Sequence, residues 1–107
     1  MYKLVLVEFP FTEKIGKKTR PVLLLTNGSY GKHKIVLVAY VTSRFGEGIE
    51  SEVVIEATVK NGLQKRSIVK LHKMTNVSES AIRGELGELS EEKSLETKRK
   101  LVKLLQL

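Results

Sequence analysis

The residues best suited to chemistry in this chain are its cations. Lysine and arginine together number 19 against 12 acidic residues, which gives a formal net charge of +7 at pH 7. Residues 60–73 hold five basic residues and no acid, whereas residues 79–92 hold five acids and one base. Such segregation is typical of a surface that binds a polyanion, because neutralisation of phosphates dominates nucleic-acid affinity. On charge alone, a solvated basic surface without a ligand is an equal alternative.

The remaining titratable residues limit which chemistry is available. All 12 acids are glutamate, cysteine is absent, and the two histidines are His33 and His72. A zinc site or a two-metal nuclease site is hard to assemble from this set, because such sites use Cys, His and Asp ligands. Any phosphodiester chemistry is therefore predicted to need neither a metal nor a cofactor. The lack of cysteine also fits a reducing cytoplasm.

Three side chains combine a reactive type with a useful position. Arg20 ends a basic loop, residues 10–20, just before an apolar run, and its planar guanidinium suits bidentate contact with a phosphate. Lys70 and His72 alternate to one face of a predicted strand. Imidazole could act as a base or an acid there, since its unperturbed pKa of ~6.5 lies near working pH. A lone histidine on a strand is also commonly a surface or structural residue.

Five short apolar runs predict the strands that must hold these side chains. Glycine-rich turns separate them, and they comprise residues 4–9, 22–25, 35–41, 53–55 and 68–74. The C-terminal region differs, because Ser90 is a good N-cap, acids follow it, basic residues come later, and an apolar stripe runs from Leu95 to Leu105. We expect a single domain over residues 1–107, mainly β with a C-terminal helix (α+β), as a small barrel or sandwich. No apolar run approaches the ~20 residues that span a bilayer, so no membrane association is expected.

Several blocks of the sequence resemble the MazF/PemK family of toxins. The first is LVLVEFPFT at residues 4–12, followed after the basic loop by RPVLLL at residues 20–25. The next blocks are VTS at residues 41–43, GL at 62–63 leading into SIV at 67–69, and residues 82–89 before the closing helix. The resemblance covers nearly the whole chain in the right order, and the Arg-Pro pair makes the opening region its most specific part.

This resemblance implies a small SH3-like β-barrel of the MazF/PemK/CcdB type that forms a homodimer. It also implies sequence-specific cleavage of single-stranded RNA, and regulation by a cognate antitoxin peptide that lies across the active-site groove. In metal-free cleavage the substrate's own 2′-hydroxyl attacks the adjacent phosphorus, which leaves a 2′,3′-cyclic phosphate and a 5′-hydroxyl end. The protein must then supply a clamp for phosphoryl charge, a base, an acid and correct orientation.

The resemblance also implies roles for individual residues. Arg20 matches the catalytic arginine of the family, and Thr42 matches its active-site threonine, whose hydroxyl could hold a phosphate oxygen. The structural alternative for Thr42 is a hydroxyl that caps a turn. Some relatives carry an arginine and an acid where this chain has Lys70 and His72. His72 is therefore a candidate base or acid, and Lys70 a candidate substrate contact.

Weaker candidates surround these positions. Ser43 offers a second hydroxyl beside the threonine, and Lys17 and Lys18 of the basic loop are candidate substrate contacts. Glu13 is the only acid of that loop, where relatives sometimes place a catalytic acid, but its spacing from the arginine does not match. His33, in a turn between strands, is expected to be exposed.

Two other functions remain open at this point. The same fold with the same basic face could bind RNA or DNA without cutting it, and the replacement of an acid by His72 keeps that alternative alive. A CcdB-type poison of DNA gyrase would share the fold as well. Arg20 and Thr42 argue against that third possibility, because binding a protein has no special need for them.

Overall fold

The computed structural model describes residues 2–9, 18–44 and 46–107. Within these ranges the chain forms six strands, one short 3-10 helix and one α-helix. The strands are β1 Lys3–Phe9, β2 Lys18–Leu24, β3 Ile35–Thr42, β4 Glu52–Ile55, β5 Ser67–Ser78 and β6 Ile82–Glu88. The 3-10 helix Glu79–Ala81 lies between β5 and β6, and the helix α1 Glu91–Leu105 closes the chain.

The six strands form one antiparallel sheet in the order β4-β5-β3-β2-β1-β6. Among the described residues β4 and β6 are its edges, so strand pairing does not close the sheet. The turn after β4 nevertheless reaches β6, since the Glu88 amide donates to the Lys60 carbonyl at 3.1 Å. Gly87 permits this approach, because a Cβ there would collide with the Lys60 carbonyl. The predicted fold, mainly β with a C-terminal helix, is confirmed.

Apolar side chains are buried on both faces of this curled sheet. Leu4 and Val5 point to opposite faces of β1, yet they are 0% and 3% exposed. The cluster on one face contains Leu4, Leu23, Ala39, Val53, Ile55, Val69, Leu71 and Leu89. The valine cluster on the other face contains Val5, Val7, Val22, Val36 and Val38. Double-sided burial explains why these strands are continuous apolar runs in the sequence.

The pairing of β3 with β5 contains a large irregularity. Tyr40 lies opposite Lys70, but the preceding residue, Ala39, lies opposite Met74. Residues 71–73 of β5 therefore have no counterpart on β3. Such a bulge bends a strand and changes the direction of its side chains. The regular alternation that the sequence predicted for residues 68–74 continues through Leu71, which is buried in the same cluster as Val69, and the bulge interrupts it before Met74.

The helix α1 forms as the sequence predicted. The Ser90 hydroxyl accepts a hydrogen bond from the Lys93 amide at 3.2 Å, and acids occupy the first turn. Thr97 is fully buried against the sheet, whereas Leu95 of the predicted apolar stripe is 59% exposed. Lys100 ties the helix to the sheet, since its Nζ donates to the Glu52 carbonyl at 2.6 Å. In the described part of the chain no helix is long and apolar enough to cross a membrane.

Candidate active site

A cleft of about 620 Å³ lies where the ends of β1, β2 and β3 meet the middle of β5. We call it the Arg20 cleft. Basic, hydroxyl and aromatic side chains share its lining, which comprises Phe9, Arg20, Pro21, Val22, Tyr40, Val41, Thr42, Arg44, Lys70 and Lys73. The sequence-predicted residues Arg20, Thr42 and Lys70 are therefore brought together in one place.

Strand register explains this convergence. Val22 of β2 lies opposite Tyr40 of β3, so extending that antiparallel register by two residues places Arg20 opposite Thr42. On the other side of β3, Tyr40 lies opposite Lys70. Because neighbouring strands are ~4.8 Å apart, side chains on the same face of β2, β3 and β5 at this level can reach one small ligand.

All charged residues in the described lining of the Arg20 cleft are basic. Arg20, Arg44 and Lys73 form no ion pair with any other described residue. Lys70 differs, because its Nζ lies 3.2 Å from a Glu47 carboxylate oxygen and 3.8 Å from one of Glu52. The Lys70 side chain is only 14% exposed, so these acids fix its position. An anion entering the cleft thus meets three cations that no described acid neutralises and one that is held in place.

Thr42 has a hydrogen-bond geometry that suits phosphate binding. Its hydroxyl oxygen accepts a hydrogen bond from the backbone amide of Arg44 at 3.1 Å. This contact is the turn-capping arrangement that was the structural alternative for Thr42. It also orients the hydroxyl, whose own proton remains available for donation to an anionic oxygen. Capping and ligand binding are therefore compatible at this residue.

Glu52 organises the loop that borders the cleft. Its buried carboxylate accepts hydrogen bonds from the backbone amide of Glu47, at 3.0 Å to each oxygen, and from that of Gly48 at 2.9 Å. Hydrogen bonding from the Glu47 amide is the main reason why the pKa of the Glu52 carboxyl lies below 4.5. Burial opposes this shift by raising the pKa, while the Gly48 and Ile49 amides and the Lys70 ammonium lower it further. Gly46 leaves no space for a Cβ beside this carboxylate. Glu52 therefore holds both the β3–β4 loop and Lys70.

His72 lies beside a different groove. Its Nδ1 is 2.8 Å from the hydroxyl oxygen of Ser51. Ser51 lines a second groove together with Glu50, Lys100, Lys103 and Leu104, next to α1. His72 is not among the described residues that line the Arg20 cleft, so the structure does not bring it together with Arg20 and Thr42. The bulge after Lys70 places Lys73 in the cleft instead.

The other predicted residues are more scattered. Ser43 is exposed next to Thr42 but does not line the cleft. Lys18 is exposed at the start of β2, opposite Phe9, and is also outside the lining. His33 is exposed in the turn before β3, as expected. Lys17 and Glu13 lie outside the described residues.

Sequence reasoning missed four residues of this site. Lys73 belongs to the basic segment 60–73, and Arg44 follows the recognised VTS block, so charge and position could have indicated both. Phe9 and Tyr40 had no comparable signal, because an aromatic residue in a strand ordinarily predicts core. Across the part of the chain that the structure describes, no group of three His or Glu side chains is placed to hold a metal ion.

A larger groove lies elsewhere, between α1 and the start of β1. Its volume is about 840 Å³, and its apolar lining includes Leu24, Leu25, Tyr30 and Leu95. Among the described residues that line this groove, the charged ones are Lys3 and Lys98. This groove also contains the hydroxyls of Thr26, Tyr30 and Ser94. The described lining of the Arg20 cleft holds four cations against these two lysines, so the smaller cleft is the better candidate for phosphate chemistry.

Comparison with known proteins identifies the family and supports the fold. Residues 2–105 match the family described as PemK-like, MazF-like toxin of type II toxin-antitoxin system. The chain belongs to this toxin family. Its fold is similar to that of the Mycobacterium tuberculosis toxin MazF-mt6, with a TM-score of 0.75, 21% identity, and coverage of 98% of this chain and 97% of that one. An Mtb toxin has a similar fold, with a TM-score of 0.71, 20% identity, and coverage of 94% and 98%. No curated protein matches the sequence significantly.

Proposed function

We propose that this member of the MazF/PemK family is a metal-independent endoribonuclease that cleaves single-stranded RNA, with the Arg20 cleft as its active site. Toxins of this family are generally endoribonucleases. The observation that carries the proposal is the convergence of Arg20, Thr42 and Lys70, with two further cations, in a cleft whose described lining contains no acid. Such a lining favours a phosphodiester over a neutral or cationic substrate.

The reaction proposed is attack by the RNA 2′-hydroxyl on the adjacent phosphorus, which forms the bond from the 2′-oxygen to phosphorus and breaks the bond from phosphorus to the 5′-oxygen. Solvent water accepts the 2′-hydroxyl proton and supplies a proton to the departing 5′-oxygen. Arg20 clamps the phosphoryl oxygens as their negative charge grows, and the Thr42 hydroxyl donates to one of them. Lys70, fixed by Glu47 and Glu52, adds positive charge at a constant position. The described lining supplies no carboxylate or imidazole, so the cleft contributes mainly orientation and charge stabilisation.

Family membership also supports the proposed partners. We propose that a cognate antitoxin peptide covers the Arg20 cleft, that the chain is a homodimer, and that it acts in the cytoplasm. Leu95, Val102 and Leu105 of α1 are 59%, 40% and 50% exposed, which is more apolar surface than a helix of a monomer ordinarily presents. This exposed stripe is consistent with contact to a second subunit.

The test is incubation of the purified protein with a long single-stranded RNA in excess EDTA. We expect discrete fragments whose ends are 2′,3′-cyclic phosphate and 5′-hydroxyl. Polynucleotide kinase should label the 5′-hydroxyl ends directly, without prior removal of a phosphate. RNA that is bound but stays intact would favour the non-catalytic binding module, which the lack of an imidazole in the described cleft lining also favours. Inhibition of gyrase supercoiling with intact RNA would establish the CcdB-type alternative.

A further inference from the structure

Two aromatic rings lie beside the phosphate-binding residues of the Arg20 cleft. Phe9 and Tyr40 have ring centroids 5.6 Å apart, with the ring planes inclined at 55°. Phe9 follows Val7 by two residues on β1, and Tyr40 follows Val38 by two residues on β3. Because side chains alternate along a strand, both rings continue the face that carries the valine cluster. The pair therefore stands where that cluster opens into the cleft.

The two rings differ in exposure. Phe9 is half-buried and packs against the valine cluster, whereas Tyr40 is 43% exposed. Contact with Phe9 holds the Tyr40 ring from one side, and the rest of the ring remains open to the cleft. Because the Tyr40 ring is already held in this way, it loses little further rotamer entropy when a flat ligand stacks on it.

The surroundings indicate which flat ligand fits. Tyr40 and Thr42 share one face of β3, two residues or about 7 Å apart, and Lys70 lies opposite Tyr40 on β5. A planar, apolar surface next to a hydroxyl and several cations matches a nucleotide, whose base is flat and whose phosphate is anionic. Single-stranded RNA offers unstacked bases to such aromatic surfaces, whereas duplex RNA keeps its bases stacked internally.

We propose that Tyr40, supported by Phe9, stacks on a nucleobase of the single-stranded RNA next to the phosphate held by Arg20 and Thr42. This inference rests on the proposed function, since it adds a base-binding subsite to the same cleft. Stacking would hold the nucleotide beside the scissile phosphate in a constant orientation. It would also limit the substrate to RNA whose bases can leave a helix.

The test measures affinity for a short 2′-O-methyl RNA, which lacks the attacking 2′-hydroxyl, and for an abasic strand of the same length. Tyr40→Ala should weaken binding of the base-containing strand by roughly 5- to 150-fold, the range for loss of one aromatic stacking contact. Tyr40→Phe keeps a ring and should bind as the wild type does. The matched control is Tyr30→Ala, because Tyr30 is 58% exposed but lies outside the cleft. All four proteins should bind the abasic strand equally.

A fluorescence experiment gives an independent readout. The chain contains no tryptophan, so Tyr40→Trp places a single indole in the cleft and Tyr30→Trp places one elsewhere. The 2′-O-methyl RNA should quench the Tyr40→Trp signal, and the abasic strand should leave it unchanged. Neither strand should affect the Tyr30→Trp signal.

Several results would overturn the inference. Equal binding of the base-containing strand by Tyr40→Ala and the wild type would exclude stacking, while RNA cleavage by the wild type would leave the proposed function standing. Equal losses for the two strands would show that Tyr40 acts on phosphate binding or folding. A lower mass of Tyr40→Ala in light scattering would make Tyr40 a subunit contact. A wild type that neither binds nor cleaves RNA would overturn both the inference and the proposed function.

Discussion

The salt dependence of RNA binding should be set by three cations of the Arg20 cleft. Arg20, Arg44 and Lys73 form no ion pair with other described residues, whereas Lys70 is already neutralised in part by two glutamates. For single strands, each phosphate contact lowers log K by about 0.7 per tenfold rise in salt. Three contacts give a slope of about −2.1, so raising salt from ~50 to ~200 mM should weaken binding about 20-fold. Contacts from Lys18 would add to this value.

The change in slope caused by single substitutions is the sharper quantity. Arg44→Gln and Lys73→Gln should each make the slope less steep by about 0.7, because each removes one phosphate contact. The matched controls are Arg66→Gln and Lys60→Gln. Both control residues belong to the basic segment 60–73 but pair with Glu56 and Glu88, at 3.0 and 3.7 Å, and lie outside the cleft. The controls should leave the slope unchanged.

The assay is fluorescence anisotropy of a labelled 2′-O-methyl RNA titrated at several salt concentrations. This RNA lacks the nucleophile, so binding is measured without cleavage. If the control substitutions flatten the slope as much as those in the cleft, the phosphates contact the whole basic surface instead of this site. If Arg44→Gln and Lys73→Gln leave the slope as it is, these side chains do not meet phosphate at all.

Three further predictions follow from the same structure. His72→Ala should cleave RNA at nearly the wild-type rate and with the same pH profile from about pH 5 to pH 8. The reason is that the wild-type imidazole contacts Ser51 beside another groove. A variant that cleaves slowly would place the imidazole in the reaction. Glu52→Gln should be less stable than the wild type at neutral pH, and thermal unfolding should show this difference shrinking as the pH falls below 4.5. The folded pKa of Glu52 is depressed, so its stabilisation is present above the unfolded pKa and is lost as pH falls through the folded one; a difference that stays constant down to low pH would contradict this. Light scattering should give a mass near twice 12.0 kDa, and Leu95→Glu should lower it, whereas a wild type at 12.0 kDa would exclude the homodimer.

Much of the fold could be predicted from the sequence, because most strands are apolar runs between glycine-rich turns. The strand β6 could not, since its sequence IRGELGE contains two glycines and few β-formers. It forms because it pairs with β1 and because Gly87 lets the turn at Lys60 approach. The strand β2 begins at Lys18, before the apolar run, because its polar residues pair with the end of β1.

The candidate site was predictable only in part. Arg20 and Thr42 were recognised from blocks of sequence, and the register of β2 and β3 explains why they meet. The prediction that Lys70 and His72 lie on one face assumes regular alternation along β5. The bulge at residues 71–73 interrupts that alternation. Nothing in the residue types of that segment specifies where the extra residues fall, because their position depends on how β5 pairs with both β3 and β4. The same bulge explains why Lys73 was missed.

The most direct test of the active-site assignment compares cleavage and binding in Arg20→Ala and the wild type, in EDTA. If Arg20 stabilises charge that develops in the transition state, the single-turnover rate should fall by roughly 100-fold or more, by analogy with the loss of one oxyanion donor. Affinity for the 2′-O-methyl RNA should fall far less, because Arg44 and Lys73 still meet the backbone. An Arg20→Ala variant that cleaves at the wild-type rate would contradict the account and remove the Arg20 cleft as the site of the reaction.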